Sequence, residues 1–378
     1  MSGGKMKEYN WREEREKYRT DLKAEKPASE PEKAPNEPAP RRSFKVWYFA
    51  GGAILLAALI VAGLAVCKML KKPQPQKDSL TMLVEAAEKH KSAVGVVVVT
   101  VELKNGAKYS DPIGTAWAFS ENKFATNGHV AIGLKGYYKG LVIKILTEDA
   151  KQNGYQSLEA YWKSLTPAKQ KAVYQNAYQR FINMLKDVRV DIIINSSHKK
   201  SYTVTQVQAH KDYGVQGTSF NPDVAVLTID GKHDNYFKIA DKETLENLKP
   251  GTPIAFLGFP MENLEKGNIN IDNPIASMQT GNIVAVSDFD MKDAGKGGNF
   301  LLRHNLPATG GASGSPIFNV NGEVIALLYA GNIIGQVSSN GNITRAPSAA
   351  QINFGVRVDL INGMGEAEPI KKFLNLEQ

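Results

Sequence analysis

A serine set among small residues is the first feature of this sequence that could carry chemistry. The run GGASGSP spans residues 310–316, with Ser313 near its centre. A serine hydroxyl is a weak nucleophile unless a base takes its proton and hydrogen-bond donors stabilise the oxyanion. Glycine lets the backbone turn sharply, so the amides of Gly311 and Ser313 could supply those donors. A flexible linker is the alternative, but apolar runs flank this stretch closely on both sides.

Of the six histidines, His129 has the surroundings that suit a catalytic base. It lies in ATNGHVAI, directly after a predicted strand, whereas most of the others lie in charged or loop-like stretches. A single histidine in such a place is more often structural. Because a matching serine loop exists elsewhere in the chain, we interpret His129 as the general base.

Asp223 is the candidate for the acid that orients this histidine. It precedes the apolar run at 224–227, so we expect its carboxylate to be buried and to need a partner such as a histidine N–H. For this residue alone, a turn-forming aspartate after Pro222 is an equally good interpretation. The chain order His129, Asp223, Ser313 is the order of this triad that occurs on a double β-barrel.

Short strands are the main elements available to position these residues. From residue 80 the sequence consists largely of short apolar runs. The first strand-like run is AVGVVVVTVEL at 93–103, which is rich in β-branched residues and typical of a strand. About a dozen further short apolar runs follow, among them GLVIKIL at 140–146, and Gly, Asn and Asp separate them. Many short strands with few helices favour a β-barrel or a β-sandwich.

Two stretches are predicted to be helical. One is 80–89, and the other is an insertion at about 148–187, where Thr166 and Pro167 form a good helix start. Four apolar residues of the insertion are expected to share one face: Ala172, Ala177, Phe181 and Met184.

The first 79 residues are of a different character. Residues 1–45 form a charged, Pro-rich tail, and residues 68–79 form a polar linker. Between them, residues 46–67 contain no charge, and a helix of this length would span about 33 Å, enough for a bilayer core. We therefore predict one transmembrane helix. A buried helix of a soluble domain is the alternative, but such a helix rarely lacks a polar face over this length.

The charge and the cysteine content exclude several other classes of protein. The net charge of +8 is spread along the 378 residues, and no nucleic-acid-binding signature is present. Cys67 is the one cysteine, so an internal disulfide and a cysteine-based zinc site are excluded. We expect neither a metal nor another cofactor.

Three blocks together resemble those of a known family. ATNGHVAI, NPDVAVLTID and GGASGSPIFNVNGEVIAL resemble the catalytic blocks of trypsin-fold serine proteases. More narrowly, FLGFP at 256–260, MQTGNIVAV at 278–286 and INFGVRVDLI at 352–361 resemble the HtrA (Deg) proteases.

This resemblance implies an all-β protease domain at about 80–362, built as a double six-stranded β-barrel with the helical insertion. The first barrel is expected at about 92–245 and the second at about 250–362. Residues 363–378 would form a C-terminal tail or helix.

The resemblance also implies roles for individual residues. His129 would be the general base, Asp223 would orient it, Ser313 would form the acyl-enzyme, and the Gly311 and Ser313 amides would form the oxyanion hole. Four uncharged residues would surround the primary specificity pocket: Pro307, Tyr329, Ala330 and Gly331. We therefore expect a small or medium apolar side chain at P1, the substrate residue before the cleaved bond.

Three departures from the family pattern limit what it implies. Ser315 replaces the commoner glycine, as in glutamyl endopeptidases, but Leu328 stands where those enzymes have a histidine, so glutamyl specificity is doubtful. Only 20 residues follow Val358, so the PDZ domain of most HtrA proteases is not expected. The 94-residue span from His129 to Asp223 is long, and the helical insertion accounts for the excess.

The sequence thus predicts a single-pass protein of the cytoplasmic (inner) membrane that cleaves unfolded or exposed polypeptides. A slight excess of Lys and Arg before residues 46–67 places the N-terminus in the cytoplasm and the protease domain in the periplasm or otherwise outside. The N-terminal tail and the insertion are candidate surfaces for a protein partner. The rival hypothesis is a catalytically silent or latent peptide-binding module that signals across the membrane.

Overall fold

The computed structural model describes residues 77–195, 200–260, 269–331, 333–337, 343–347, 352–374 and 376. The predicted tail at 1–45, membrane segment at 46–67 and most of the linker at 68–79 lie outside this range. Within the described part of the chain, no helix is both long enough and apolar enough to cross a membrane.

The first barrel is a closed antiparallel sheet of six strands. They are β1 (Val94–Leu103), β2 (Lys108–Ala118), β3 (Lys123–Thr126), β4 (Leu185–Ile194), β5 (Ser201–Ala209) and β6 (Ala225–Ile229). Their order is β5-β4-β1-β2-β3-β6, and the pairing of β5 with β6 closes the barrel.

The second barrel repeats this arrangement, so the predicted pair of six-stranded barrels is confirmed. Its strands are β8 (Pro253–Gly258), β9 (Ser277–Ser287), β10 (Leu301–His304), β11 (Pro316–Phe318), β12 (Glu323–Ala330) and β15 (Asn353–Arg357). Their order is β11-β8-β9-β10-β15-β12, and β11 pairs with β12 to close it. A short β7 (Lys238–Ile239) adds to β12 in parallel, and β13 (Ile333–Val337) pairs with β14 (Ile343–Pro347) as a separate two-stranded sheet.

Continuous burial explains the unbroken valine run of β1. Val94, Val96 and Val98 pack into the hydrophobic cluster that holds the second barrel, whereas Val97 and Val99 pack into that of the first barrel. Successive side chains of a strand point to opposite faces. Since both faces of β1 are covered, apolar residues are needed at every position.

Helix α1 (Ser79–His90) confirms the first predicted helix. The Asp78 carboxylate caps it by accepting from the Thr81 amide at 2.8 Å. A 3₁₀ turn, Lys91–Ala93, then leads directly into β1. Leu83, Ala86 and Ala87 of α1 are buried in the same cluster as the second barrel.

The helical insertion begins earlier than expected. It consists of α2 (Gly128–Gln152), α3 (Leu158–Ser164) and α4 (Pro167–Met184), so it starts 20 residues before the predicted position of about 148. The prediction of a strand at 140–146 was wrong. Leu134, Leu141, Val142 and Leu146 are buried, which is helical spacing, while Ile143 between them is 48% exposed.

Helix α4 has the predicted start but not the predicted apolar face. Thr166 is its N-cap and Pro167 its first residue. Ala177 and Phe181 are buried, but Ala172 and Met184 are exposed. Val173, Tyr174 and Tyr178 complete the packed face instead. Each lies three or four residues from Ala177 or Phe181, whereas Ala172 lies five residues from Ala177. Met184 has the right spacing from Phe181 but is the last residue of the helix and stays exposed.

The C-terminal segment returns to the first barrel. After a 3₁₀ helix (Val358–Gly363), β16 (Glu368–Pro369) adds to the edge of β5. A short α6 (Ile370–Phe373) then buries Phe373 and Leu374 in the first-barrel core. A short helix α5 (Lys242–Glu246) lies between the two barrels in the chain.

Candidate active site

Strand pairing brings His129 and Asp223 together. β3 and β6 are antiparallel, with Thr126 opposite Ala225. The residues just after β3 and just before β6 therefore meet at one end of the barrel. His129, the second residue of α2, and Asp223 occupy these positions.

The contact between these two residues is close and twofold. The Asp223 Oδ2 atom lies 2.5 Å from the His129 Nδ1 atom, and Oδ1 accepts from the His129 backbone amide at 2.6 Å. Asp223 has no exposed surface, whereas the His129 side chain is 40% exposed. The carboxylate thus fixes the ring from the protein side and leaves its other nitrogen free to face a substrate.

Two neighbours hold this pair in place. The side-chain amide of Asn127 donates to the backbone carbonyl of Asp223 at 2.8 Å. The Tyr213 ring packs over Gly128, where a Cβ would lie only 2.7 Å from the Tyr213 Cδ1 atom. Burial, and then the negative charge of Asp223, raise the pKa of the Tyr213 phenol, so it stays protonated and can donate.

The Ser313 loop is fixed by both barrels. From the first barrel, the Thr115 amide donates to the Ser313 carbonyl, and the Thr115 hydroxyl donates to the Gly311 carbonyl, both at 2.9 Å. From the second barrel, the Leu328 carbonyl accepts from the Gly314 amide, also at 2.9 Å. GGASGSP is therefore an anchored loop and not a flexible linker.

Glycine is required at two positions of this loop. Gly311 and Gly314 have φ angles of 84° and 86°, in the region that residues with a side chain rarely adopt. At Gly314 a Cβ would also lie 2.2 Å from the Thr115 carbonyl oxygen. The loop can approach β2 this closely only because Gly314 has no side chain.

The anchoring places Ser313 beside the histidine block. At Gly114, one Cβ position would contact both the Val130 side chain, at 2.7 Å, and the Ser313 carbonyl oxygen, at 3.2 Å. Val130 directly follows His129. The Ser313 hydroxyl and the His129 ring, both in the described part of the chain, are not joined by a hydrogen bond. Such contacts often tighten only when substrate binds.

Two amides of the loop are available as donors. Among the residues that the structure describes, none accepts a hydrogen bond from the Gly311 or Ser313 amide. Both residues belong to the loop that carries the candidate nucleophile. An oxyanion formed next to Ser313 would find two unoccupied N–H donors there.

The residues expected around the specificity pocket are partly brought together. Tyr329 and Gly331 line a cavity of about 660 Å³, together with Val215, Asn221 and Phe289. Pro307 is exposed and does not line this cavity, and Ala330 is the last residue of β12. The Asn353 side chain also approaches this region, since its amide donates to the Leu306 carbonyl at 2.6 Å.

The side chain of Ser315 is buried without a hydrogen bond to its hydroxyl in the described part of the structure. It has no exposed surface, and its hydroxyl has no partner among the described residues. Gly258 leaves the space that it needs, because a Cβ there would lie 1.8 Å from the Ser315 Oγ atom. The serine that departs from the common family pattern is therefore accommodated by a glycine from another strand.

Sequence reasoning missed Thr115, Asn127 and Tyr213. Thr115 carried a usable signal, since it is a polar residue within the apolar stretch GTAWAFS. Tyr213 carried none, because only the fold brings it over Gly128. No cluster of three or more His, Cys, Asp or Glu residues is arranged to hold a metal ion in the described regions.

Comparison with known proteins agrees with this arrangement. Residues 114–327, more than half of the chain, match the family model described as a trypsin-like peptidase domain. No curated protein matches the sequence.

The solved structures that are similar to this one include two HtrA-type or Deg proteins. The HtrA-type protease AlgW with decapeptide has a TM-score of 0.40 and 12% identity, over 74% of this chain and 64% of that chain. The crystal structure of Deg5 has a TM-score of 0.39 and 13% identity, over 76% of this chain and 94% of that chain. The present chain thus spans less than two thirds of the AlgW chain.

Proposed function

This chain belongs to the trypsin-like peptidase family, and from that premise we propose that it is a serine endopeptidase with the triad His129, Asp223 and Ser313. The observation that carries the proposal is the buried Asp223 carboxylate, which contacts both the ring and the backbone of His129. The unoccupied amides of Gly311 and Ser313 support it further.

In the first half of the reaction, the Ser313 Oγ atom attacks the carbonyl carbon of the peptide bond, and its proton passes to the second ring nitrogen of His129. Asp223 stabilises the imidazolium, and the Gly311 and Ser313 amides donate to the oxyanion. His129 then gives the proton to the leaving amine as the C–N bond breaks. An acyl-enzyme remains on Ser313.

Water completes the reaction by the same route. His129 accepts a proton from the water as its oxygen attacks the acyl carbon, and the proton returns to Ser313 Oγ as the ester bond breaks. Every proton transfer in this scheme uses the His129 ring. Neither a metal nor another cofactor enters the scheme.

The proposed substrate is an unfolded or exposed polypeptide that binds the cleft as an added strand. The uncharged residues Pro307, Tyr329, Ala330 and Gly331 favour a small or medium apolar P1 side chain. A peptide library cleaved mainly after Glu, Lys or Arg would contradict this preference. A closer kinship with the HtrA proteases is part of the proposal, and it rests on the motifs at 256–260 and 278–286.

Anchoring in the cytoplasmic membrane through residues 46–67 is a separate proposal. It rests on 22 uncharged residues flanked by Lys and Arg, with the protease domain on the periplasmic or outer side. Phosphatase and fluorescent-protein reporters fused after Gln378 distinguish the two orientations. Activity of the cytoplasmic reporter alone would exclude the envelope location.

Labelling with a fluorophosphonate tests the enzyme assignment directly. We expect the full chain to be labelled and its Ser313→Ala variant to remain unlabelled, because the probe reacts with activated serines. The rival, a silent or latent binding module, has one observation in its favour, namely the absent hydrogen bond between Ser313 and His129. If neither protein is labelled while a known serine protease is, the active-enzyme proposal fails.

A further inference from the structure

The three helices of the insertion line an apolar groove. We call it the insertion groove, with a volume of about 500 Å³. Helix α2 contributes Ile143 and Leu146, α3 contributes Leu158 and Trp162, and α4 contributes Tyr174. Glu159 and Lys163 complete its lining.

The groove leaves apolar surface in contact with water. Ile143 is 48% exposed, although Leu146, one turn further along α2, is almost fully buried. Trp162 and Tyr174 are only half-buried. A concave apolar site with this lining has the usual character of a binding site for one large side chain.

The insertion is also strongly basic. Residues 128–184 contain eight Lys and Arg but only three Asp and Glu, so they carry +5 of the net charge of +8. All three acids are already paired inside the insertion. The pairs are Glu148 with Lys151, Glu159 with Lys163, and Asp149 with Arg180.

Five lysines therefore lack a carboxylate within the insertion. Lys135 and Lys144 lie over the rings of Phe373 and Tyr109, at 4.0 and 5.4 Å. The other three are exposed and form no ion pair with any residue that the structure describes: Lys139, Lys169 and Lys171.

Two of these lysines flank the groove. Lys139 precedes Ile143 by four residues, and Lys171 precedes Tyr174 by three. Residues at these spacings are neighbours on a helix surface. The groove thus has an apolar floor and uncompensated positive charge on two of its helices.

We propose that the insertion groove binds an acidic segment of a protein partner, which places one aromatic or large aliphatic side chain on Ile143 and Trp162. Its carboxylates pair with Lys139 and Lys171. A polypeptide fits better than a membrane surface. Helix α2 buries its main apolar face against the barrel, and the apolar surface that it leaves exposed is the concave groove.

The site is separate from the candidate active site. Ile143 lies 14 residues after His129 on the same helix, which corresponds to about 21 Å along its axis. Binding there needs no peptidase activity. The test can therefore use the full chain with Ser313→Ala, so that the probe is not cut, and its outcome does not depend on the proposed function.

The probe is a fluorescein-labelled synthetic helical peptide with Glu on one face and Leu and Trp on the other. Its counterpart has Lys in place of every Glu. In anisotropy titrations we expect the acidic peptide to bind at least about tenfold more tightly than the basic one. We also expect this preference to shrink between about 50 and about 300 mM NaCl, because the lysines are exposed.

Matched variants locate the site. Ile143→Asp should weaken binding of the acidic peptide by about tenfold or more, because a carboxylate replaces the apolar floor. Ile132→Asp is the control, since Ile132 lies on the same helix, is 46% exposed and does not line the groove. Lys171→Glu, at an exposed position that does not affect packing, should weaken binding as well.

Three results would overturn the proposal. The first is equal binding of the two peptides, and the second is equal loss of binding in the Ile143→Asp and Ile132→Asp proteins. The third is tight binding to phosphatidylglycerol vesicles that the acidic peptide cannot displace, because the basic surface would then serve a membrane.

Discussion

Asp223 depends on very few hydrogen-bond donors. It has no exposed surface, and both hydrogen bonds to its carboxylate within the described structure come from His129. A buried carboxylate is stabilised by each further donor that it gains. Tyr213 is placed to supply one, because its ring and the Asp223 Oδ1 atom both lie within 3.0 Å of the position that a Gly128 Cβ would take.

We therefore predict that Tyr213→Phe slows fluorophosphonate labelling of Ser313 about tenfold, which is the effect of losing one hydrogen bond to a charged group. Without the phenol, the Asp223 carboxylate is held less firmly, and the His129 ring that it orients is less well placed to take the Ser313 proton. The labelling rates of the parent and of Tyr213→Phe, measured at one fixed pH, give this ratio.

Tyr236→Phe is the matched control, because Tyr236 is 49% exposed and lies between β6 and β7, outside the residues that form the candidate active site. Its labelling rate should equal that of the parent. A Tyr213→Phe protein with a parental labelling rate would mean that the phenol only fills space over Gly128.

At the scale of helices and strands, the sequence predicted an element correctly where its local signals agreed on one type of structure. The helix start at Thr166 and Pro167 was predictable, since capping depends on neighbouring residues only. The helical conformation of residues 140–146 was not predictable, because their Val and Ile side chains favour strands while the buried positions follow helical spacing. That spacing becomes clear only when residues 134–146 are considered together.

The three sequence blocks around His129, Asp223 and Ser313 could be identified as candidate site segments, because each combines small and apolar residues within a short stretch. The hydrogen bonds that connect these blocks could not be predicted. Thr115 ties the Ser313 loop to β2, and Asn127 fixes the backbone of Asp223 across 96 positions of sequence. Such contacts depend on which strands pair, and a single sequence does not specify pairing partners.

At the scale of the whole molecule, the fold buries histidines that its chemistry does not use. His304 on β10 has no exposed surface, and burial lowers its pKa to about 4. Burial also lowers the pKa of His90, His210 and His233. The folded protein holds these rings neutral at a pH where the unfolded chain would protonate them.

We predict from this that the free energy of unfolding falls as the pH is lowered from about 6.5 to about 4, because the unfolded chain binds more protons over that range. His304 alone would contribute on the order of 3 kcal/mol. Urea unfolding of the full chain at several pH values measures the slope. His304→Leu keeps the side chain apolar and similar in size, and it should flatten the curve by that contribution. Equal slopes for the parent and His304→Leu would show that His304 is protonated in the folded state as well. A free energy of unfolding that rises when the pH is lowered would contradict the prediction.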